Sequence, residues 1–302
     1  MSIWKSVVIL VVLLGAVALS PAQNQPTQAE SVSLAPKFKV GDEATYVATI
    51  TSGRTDRAGE DGANRAVQDS KVELTVVRRV TGVTPDAITV ELEYRRIKVS
   101  NKSEFTSMEF DSDSPEAHDG ENVLAYLVRP LVGKSVRIRL TSMGRFLSVR
   151  LPEGIVPAGA SKQTAEDLMG DSTIRDLFGP LFGVGRSSGL TKLGDTWDRR
   201  EEVQVTPFAR LVISRTDTLE SIDRGMALIE VKGTVEMEVD PGQTEELPKL
   251  KSSSIDGAIV WDVERGLLRD YDISQRVQAA RTDKDVVHLR TDESLTNIRL
   301  VE

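Results

Sequence analysis

The sequence predicts an α+β protein that is predominantly antiparallel β, with two related, curved, half-barrel-like sheets and one or two covering helices. Three observations predict this class. Apolar and charged residues alternate over several strand-length runs, a short motif occurs once in each half, and two stretches follow a helical period instead. With 302 residues, of which 39% are hydrophobic, the chain is large enough to form a core.

The clearest alternating run extends from Ala227 to Val239, where apolar side chains occupy every second position and charged or polar side chains the positions between. This pattern is typical of an antiparallel sheet with one face in water. Gly233 falls on the apolar face in mid-strand, which predicts a bend or bulge. The same alternation occurs in three more runs, at 71–80, 87–99 and 136–140.

Two stretches break the strand period and predict helices. Ser114-Pro115-Glu116 has the residue types of a helix start: a capping hydroxyl, Pro in the first turn and an acid near the positive end of the dipole. The second stretch carries an apolar stripe at helical spacing, interrupted by Gly179-Pro180. The stripe consists of Ile174, Leu177, Phe178, Leu181 and Phe182. It predicts a helix that covers a sheet face, as core or as a mobile lid.

A repeated turn motif predicts a duplication. Lys39-Val-Gly-Asp42 in the first half corresponds to Lys192-Leu-Gly-Asp195 in the second, and an aromatic residue follows each, Tyr46 and Trp197, at offsets of equal parity. Gly41 and Gly194 are therefore expected in equivalent turns before equivalent strands. The predicted units are a first β-rich repeat at 37–160, and a helix plus a second β-rich repeat at 161–302.

The N-terminus has the pattern of a secretory signal peptide. Lys5 precedes an apolar run, and Ser20-Pro21-Ala22 has small residues where a signal peptidase reads. We expect cleavage after Ala22, so that residues 1–22 are removed, residues 23–36 form a flexible leader, and the protein is periplasmic or extracellular. The alternative is an uncleaved anchor, but the run is shorter than the about 20 residues that span a bilayer. No later segment is long and apolar enough to span, so the cleaved protein is not expected to cross a membrane.

Composition excludes several classes of function. The net charge of -8 and the lack of a basic stripe argue against nucleic-acid binding through phosphate contacts. The chain has no Cys, which excludes disulfides, thiolate metal sites and thiol catalysis, and it has only two His. No cofactor and no catalytic residue is predicted.

Two motifs nevertheless carry possible chemistry. Ser187 lies in a Gly-x-Ser-x-Gly pattern with His288 later in the chain, but a nucleophile elbow needs a strand before it and a helix after it, and here a helical stripe precedes it. A flexible loop is the favoured interpretation. Asp111 and Asp113 offer oxygen ligands for a metal such as calcium, but the 12-residue loop of a calcium-binding hand is absent. An acidic helix start explains both residues.

The chain resembles a family of secreted bacterial envelope proteins of unknown function with two β-rich halves. The residues that carry the resemblance are Phe38-Lys-Val-Gly-Asp42, Phe110-Asp-Ser-Asp113 and Leu193-Gly-Asp-Thr-Trp197. The family brings no activity, cofactor or catalytic residue. The architecture is also similar to the half-barrels that carry lipoproteins or lipids through the periplasm, although fold alone does not fix function.

These observations predict a non-enzymatic envelope protein that binds an apolar or amphiphilic ligand such as a lipid, or another envelope protein. The candidate ligand-binding residues are large apolar side chains: Phe178, Leu181, Phe182, Trp197 and Trp261. One alternative is a hydrolase that uses Ser187 or a carboxylate pair. Another is a structural interaction module with a filled core and an exposed apolar patch.

Overall fold

The structure is a computed structural model that describes residues 31–59, 62, 65–116, 119–120, 122–152, 171–184, 189–206, 208–240, 247–283 and 286–301. The predicted signal peptide, most of the predicted leader and Ser187 lie outside these residues. Within the described ranges, no helix is both long and apolar enough to span a membrane.

The described chain is built mainly of long strands. The first half contains β1 (Ser31–Val32), β2 (Glu43–Ala58), β3 (Arg65–Val83), β4 (Ile88–Ser103), β5 (Ser107–Asp111), β6 (Ser135–Leu140) and β7 (Phe146–Arg150). The second half contains β8 (Thr191–Lys192), β9 (Thr196–Thr206), β10 (Ala209–Asp223), β11 (Met226–Val239), β12 (Lys249–Asp262), β13 (Leu267–Asp283) and β14 (Val286–Val301). The helices are α1 (Val123–Val128) and α2 (Asp171–Phe178), each followed by a short 3-10 turn, at Arg129–Leu131 and Gly179–Leu181.

The strands form one large sheet and one small one. In the large sheet the order is β7-β6-β4-β3-β2-β14-β13-β12-β11-β10-β9, with β5 added beside β4, while β1 pairs with β8 separately. Every assigned pairing is antiparallel. The predicted predominantly antiparallel α+β class is therefore confirmed. The two halves are joined edge to edge, because β14 pairs with β2.

The two Gly-Asp turns have the same hydrogen bonds. Gly41 and Gly194 both have positive φ, at 89° and 81°. The N–H of Gly41 donates to Val80 O and that of Gly194 to Leu219 O, at 2.9 and 2.8 Å. In each turn the Asp carboxylate accepts from the Lys N–H at 3.0 Å. From these turns the strand order is β2-β3-β4-β6-β7 in one half and β9-β10-β11-β12-β13 in the other. The boundaries proposed for the repeats stay predictions.

Alternation places one face of the sheet, here called the inner face, in the core. Tyr46 on β2 is 0% exposed and Trp197 on β9 is 8% exposed, so the aromatic residues after the two turns are both buried. The apolar side chains at alternate positions of β4, β6 and β11 are likewise buried. They include Val90, Leu92, Val136, Ile138, Ile229 and Val231, all at 0% exposure.

Helix α2 packs as core. Phe178, Leu181 and Phe182 are fully buried. Phe178 meets the ring of Tyr94 edge-on at 6.1 Å between centroids, and Phe182 meets Phe146 at 5.4 Å. As Gly179-Pro180 predicts, the α-helix ends at Phe178 and continues as a 3-10 turn.

After Ser114-Pro115, Glu116 has a 3-10 conformation and its carbonyl accepts the Asp119 N–H at 2.9 Å, but the α-helix expected from this start begins later in the chain. Helix α1 begins at Val123, and Asn122 caps it by accepting the Leu124 N–H at 3.0 Å. At the earlier position the Asp111 carboxylate accepts the N–H of Asp113 at 3.1 Å, and the Ser114 N–H donates to Asp111 O. This local turn after β5 competes with helix formation, as short polar side chains often do.

The end of the predicted flexible leader is part of the fold. Within residues 31–36, strand β1 pairs with β8, and Leu34 is only 3% exposed. The Lys37 N–H then donates to Gly266 O at 3.2 Å. We call residues 31–37 the N-terminal strap, because they cross from β8 to the start of β13.

Candidate functional site

A cavity of about 770 Å³ lies between the N-terminal strap, α2 and the inner face of the second half. Its apolar lining includes Leu34, Pro36, Phe146, Val184, Trp197 and Ile259. Its charged and polar lining includes Arg175, Asp176, Arg199, Glu201, Arg215 and Tyr271. The cavity therefore presents apolar surface and charges of both signs to one volume.

Strand parity brings the charged groups together. Trp197, Arg199 and Glu201 occupy alternate positions of β9, so their side chains lie on one face. On β10, Arg215 is the register partner of Arg199, and Asp217 is the partner of Trp197. These polar residues thus stand on the inner face, among positions that are otherwise apolar.

Asp217 is the centre of a buried ion cluster. Its side chain is fully buried and accepts from Nε of Arg199 at 2.9 Å. Nε and Nη2 of Arg215 bind the two oxygens of the same carboxylate at 3.0 and 3.1 Å. Nη1 of Arg215 donates to the Tyr271 hydroxyl at 3.4 Å. Two guanidinium groups share one carboxylate, so the cluster is positive. Burial, together with the charge of Arg215, lowers the pKa of Arg199.

Gly233 leaves room for this cluster. It is the register partner of Arg215 on β11. A Cβ atom at this position would lie 2.4 Å from Ser214 O and 2.8 Å from Cβ of Arg215. Because protein atoms do not approach this closely, any side chain here would displace backbone next to the arginine. The Gly that breaks the alternating run is therefore explained by close approach of the neighbouring strand.

Two acidic residues lie at the mouth of the cavity. Asp176 on α2 and Glu201 on β9 both line the cavity, and both residues are exposed. Desolvation and the negative charge of Glu201 raise the pKa of Asp176 to about 6, against a smaller opposing effect of Arg175. Arg175 itself binds Asp171 at 2.7 Å and stacks over the Phe146 ring. The more buried part of the cavity lining therefore carries the arginine cluster, and its exposed part carries Asp176 and Glu201 together with Arg145.

This arrangement predicts a pH dependence of stability. Because the pKa of Asp176 is above its ordinary value of 3.8, the folded protein holds this proton more tightly than the unfolded chain does. Its contribution to stability is present below about pH 4, is lost as pH rises to about 6, and is then constant. Because solvent at the mouth screens the charge of Asp176, this contribution to stability is small. Urea unfolding from pH 4 to 7 should show Asp176→Asn gaining on the unsubstituted protein over that interval. A difference that does not change with pH would contradict the assignment.

The predicted ligand-binding residues divide into two groups. Trp197 lines the cavity, and its Nε1 has no hydrogen-bond partner among the described residues. Phe178, Leu181, Phe182 and Trp261 are fully buried in the core instead. Their side chains hold the sheet and α2 together, so Trp197 is the residue of this set that the structure places at the site.

The candidate metal ligands Asp111 and Asp113 are engaged in ion pairs. Arg96 binds Asp111 at 2.7 Å and Asp113 at 2.9 Å. The hydrogen bond from Arg96 lowers the pKa of Asp111. In the part of the chain that the structure describes, no group of three or more His, Asp or Glu side chains could hold a metal ion. Ser187, the hydrolase candidate, lies outside the described residues.

A second opening, of about 1120 Å³, lies between the ends of β11 and β12. The assigned register of these strands runs from Met226 to Gly233, where Gly233 pairs with Ile255. Beyond it, the Ser253 hydroxyl accepts from Val235 N and donates to Val235 O, both at 2.8 Å, and so takes the place of backbone pairing. This opening lies beside a gap in the sheet, whereas the first cavity contains the ion cluster.

The fold and the site define a sheet protein with a mixed apolar and charged cavity against its inner face. Residues 85–267 match DUF6263, a family of unknown function. This match covers more than half of the chain, so the chain belongs to that family, and the predicted resemblance to a family of unknown function is confirmed. A search of curated proteins finds no match.

Two solved structures align with 88% of this chain, both with TM-scores below 0.5. One describes lipid-protein interactions in lipovitellin, with a TM-score of 0.46 at 10% identity over 88% of this chain. The chain spans 26% of that lipovitellin chain. The other is an outer membrane channel from Pseudomonas putida F1, with a TM-score of 0.19 at 9% identity, covering 88% of this chain and 97% of the channel.

Proposed function

We propose that this protein is an exported, non-enzymatic binding protein that holds an amphiphilic molecule in the cavity between the N-terminal strap and the sheet. One observation carries the proposal: apolar side chains and the two arginines of the buried ion cluster, Arg199 and Arg215, line the same volume. A volume of about 770 Å³ is within the usual range of small-molecule sites.

The mixed lining favours an amphiphilic ligand over a purely apolar one. An apolar molecule would leave Arg199 and Arg215 without water and without a new partner, which opposes binding. A fully polar molecule would gain nothing from Phe146, Val184 and Ile259. Export is supported by the signal-peptide pattern of residues 1–22, and the binding of another envelope protein remains the alternative partner.

The test is to fill the cavity and measure binding of a fluorescent fatty acid, dansyl-undecanoic acid. Gly179 lines the cavity, and a Cβ atom there would meet nothing within 4 Å. Gly179→Leu should lower affinity at least tenfold while keeping the urea midpoint. Gly82→Leu is the matched control, since Gly82 lies on β3 outside the cavity lining and its added Cβ makes ordinary contacts. Equal affinity in Gly179→Leu, or no binding by the unsubstituted protein, would reject the proposal.

The hydrolase alternative is favoured by one observation at the same site. A carboxyl with a raised pKa, Asp176, lines the cavity together with a second carboxyl, Glu201. Glycoside hydrolases use such a pair as proton donor and carboxylate. Release of nitrophenol from a panel of aryl glycosides tests it. Activity that Asp176→Asn abolishes would establish the hydrolase, and activity equal in both proteins, or none, would exclude this pair.

A further inference from the structure

The cavity separates its charges in a regular way. Arg199 and Glu201 are alternate residues of β9 on the same face, so their Cα atoms are about 7 Å apart. The side chain of Arg199 is 30% exposed and that of its partner Asp217 is fully buried, whereas Glu201 is exposed at the mouth. The two carboxylates therefore lie on a more exposed part of the cavity lining, which the exposed Arg145 shares, and the arginine cluster lies on a more buried part.

The inner region can accept an anion. Nε and Nη2 of Arg215 both donate to the Asp217 carboxylate, and Nη1 donates to the Tyr271 hydroxyl. On Arg199, Nε binds Asp217 and Nη2 donates to Val184 O, which leaves Nη1 for a ligand. The excess positive charge of the cluster and the directional donors of a guanidinium suit a phosphate oxygen.

The mouth can accept a cation. Asp176 and Glu201 both line it, and neither has a salt bridge assigned among the described residues. Burial, and after it the negative charge of Glu201, raises the pKa of Asp176. An ammonium group between the two carboxylates would remove the repulsion between them.

We propose that the ligand is a zwitterionic amphiphile whose phosphate binds beside Arg199 and whose ammonium group binds Glu201 and Asp176. This inference rests on the proposed function and names its ligand class. A phosphoethanolamine group joins its two charges by a short two-carbon link, which fits the spacing of alternate residues on one strand. A free amino acid separates its two charged groups by a single carbon and offers only a short side chain to the apolar lining.

Titration calorimetry with three probes of equal chain length tests the class. The probes are dihexanoyl phosphatidylethanolamine, dihexanoyl phosphatidylglycerol and dihexanoylglycerol, which are zwitterionic, anionic and neutral. The zwitterion should bind at least tenfold more tightly than either of the others. Free phosphoethanolamine, the headgroup without chains, should bind at least tenfold more weakly than the lipid.

Two substitutions test which residue binds the ammonium group of the ligand and which binds its phosphate. Glu201→Gln should remove the preference for phosphatidylethanolamine over phosphatidylglycerol. Arg199→Gln should weaken both phospholipids at least tenfold and leave dihexanoylglycerol unchanged. The matched controls are Glu202→Gln and Arg200→Gln, which make the same changes of charge at adjacent residues on the opposite face of β9. Neither control should alter any affinity.

The outcomes separate this inference from the proposed function. If all three lipids bind equally, or if Glu201→Gln keeps the preference, the zwitterion inference is overturned and the amphiphile-binding function stands. If no lipid binds, the proposed function itself is overturned. If the free headgroup binds as tightly as the lipid, the site recognises a small polar zwitterion and the amphiphile part of the proposal is overturned.

Discussion

Asp217→Asn is expected to lower the free energy of unfolding by about 3–5 kcal/mol. Asp217 is fully buried and is the shared partner of Arg199 and Arg215. Removing its charge leaves two guanidinium groups that face each other without a carboxylate, inside the protein. Because the amide is almost the same size, the loss reports charge and not volume. Urea unfolding followed by circular dichroism at pH 7 measures it.

Asp198→Asn is the control for this substitution. Asp198 lies directly before Arg199 in β9, and its carboxylate accepts a hydrogen bond from the Thr216 hydroxyl at 2.7 Å. Its replacement should change the free energy of unfolding by less than about 1 kcal/mol. Adding Arg199→Met to Asp217→Asn should recover part of the loss, since it removes one of the two unbalanced cations. If the stability losses of Asp217→Asn and Arg199→Met, each measured alone, simply add in the double variant, the two groups are not coupled.

Phe178→Ala is expected to lower the free energy of unfolding by about 3–5 kcal/mol. The side chain is fully buried against Tyr94, so truncation opens a void in the core. Leu177→Ala on the same helix removes a half-buried side chain and should have a clearly smaller effect. Thermal and urea unfolding of both variants give the comparison.

This pair of variants also tests the lid alternative. If α2 were a lid, it would move away from the cavity when the ligand is released. Phe178→Ala would then change uptake of dansyl-undecanoic acid, while the free energy of unfolding changed by less than about 1 kcal/mol. The core assignment predicts the opposite, a large loss of stability with binding retained at temperatures where the variant is folded. Exposure, ring contacts and the placement of the cavity beside Gly179 and not beside Phe178 all support the core.

The strands and repeated turns could be predicted because their determinants are local. Alternation along β11 fixes which side chains are buried, and each Gly-Asp motif forms a local hydrogen bond between its Asp carboxylate and the N–H of the Lys three residues earlier. Ser114-Pro115-Glu116 predicts an α-helix, but the chain forms only a 3-10 turn at Glu116, because the same residue types also favour a turn when a strand ends at Asp111. Propensity could not distinguish the two.

The cavity could not be predicted, because it depends on elements that are distant in sequence. Asp176 acquires its raised pKa only when α2 packs near Glu201 on β9. One signal was nevertheless present on β10, where Arg215 and Asp217 interrupt an apolar parity that includes Leu211 and Leu219. Oppositely charged residues at the alternate positions of a strand that face the core indicate a buried ion cluster.

The pairing of β14 with β2 has a consequence for how the chain folds. Arg54 and Asp292, which hydrogen-bond across these strands, are 238 residues apart in sequence. Closing so long a loop is entropically unfavourable, and topologies rich in such contacts fold slowly. Until β14 arrives, one edge of β2 exposes unpaired backbone groups to any other extended chain. We therefore expect this seam to form late and to be prone to aggregation until it closes. The first half folded alone would carry that edge permanently.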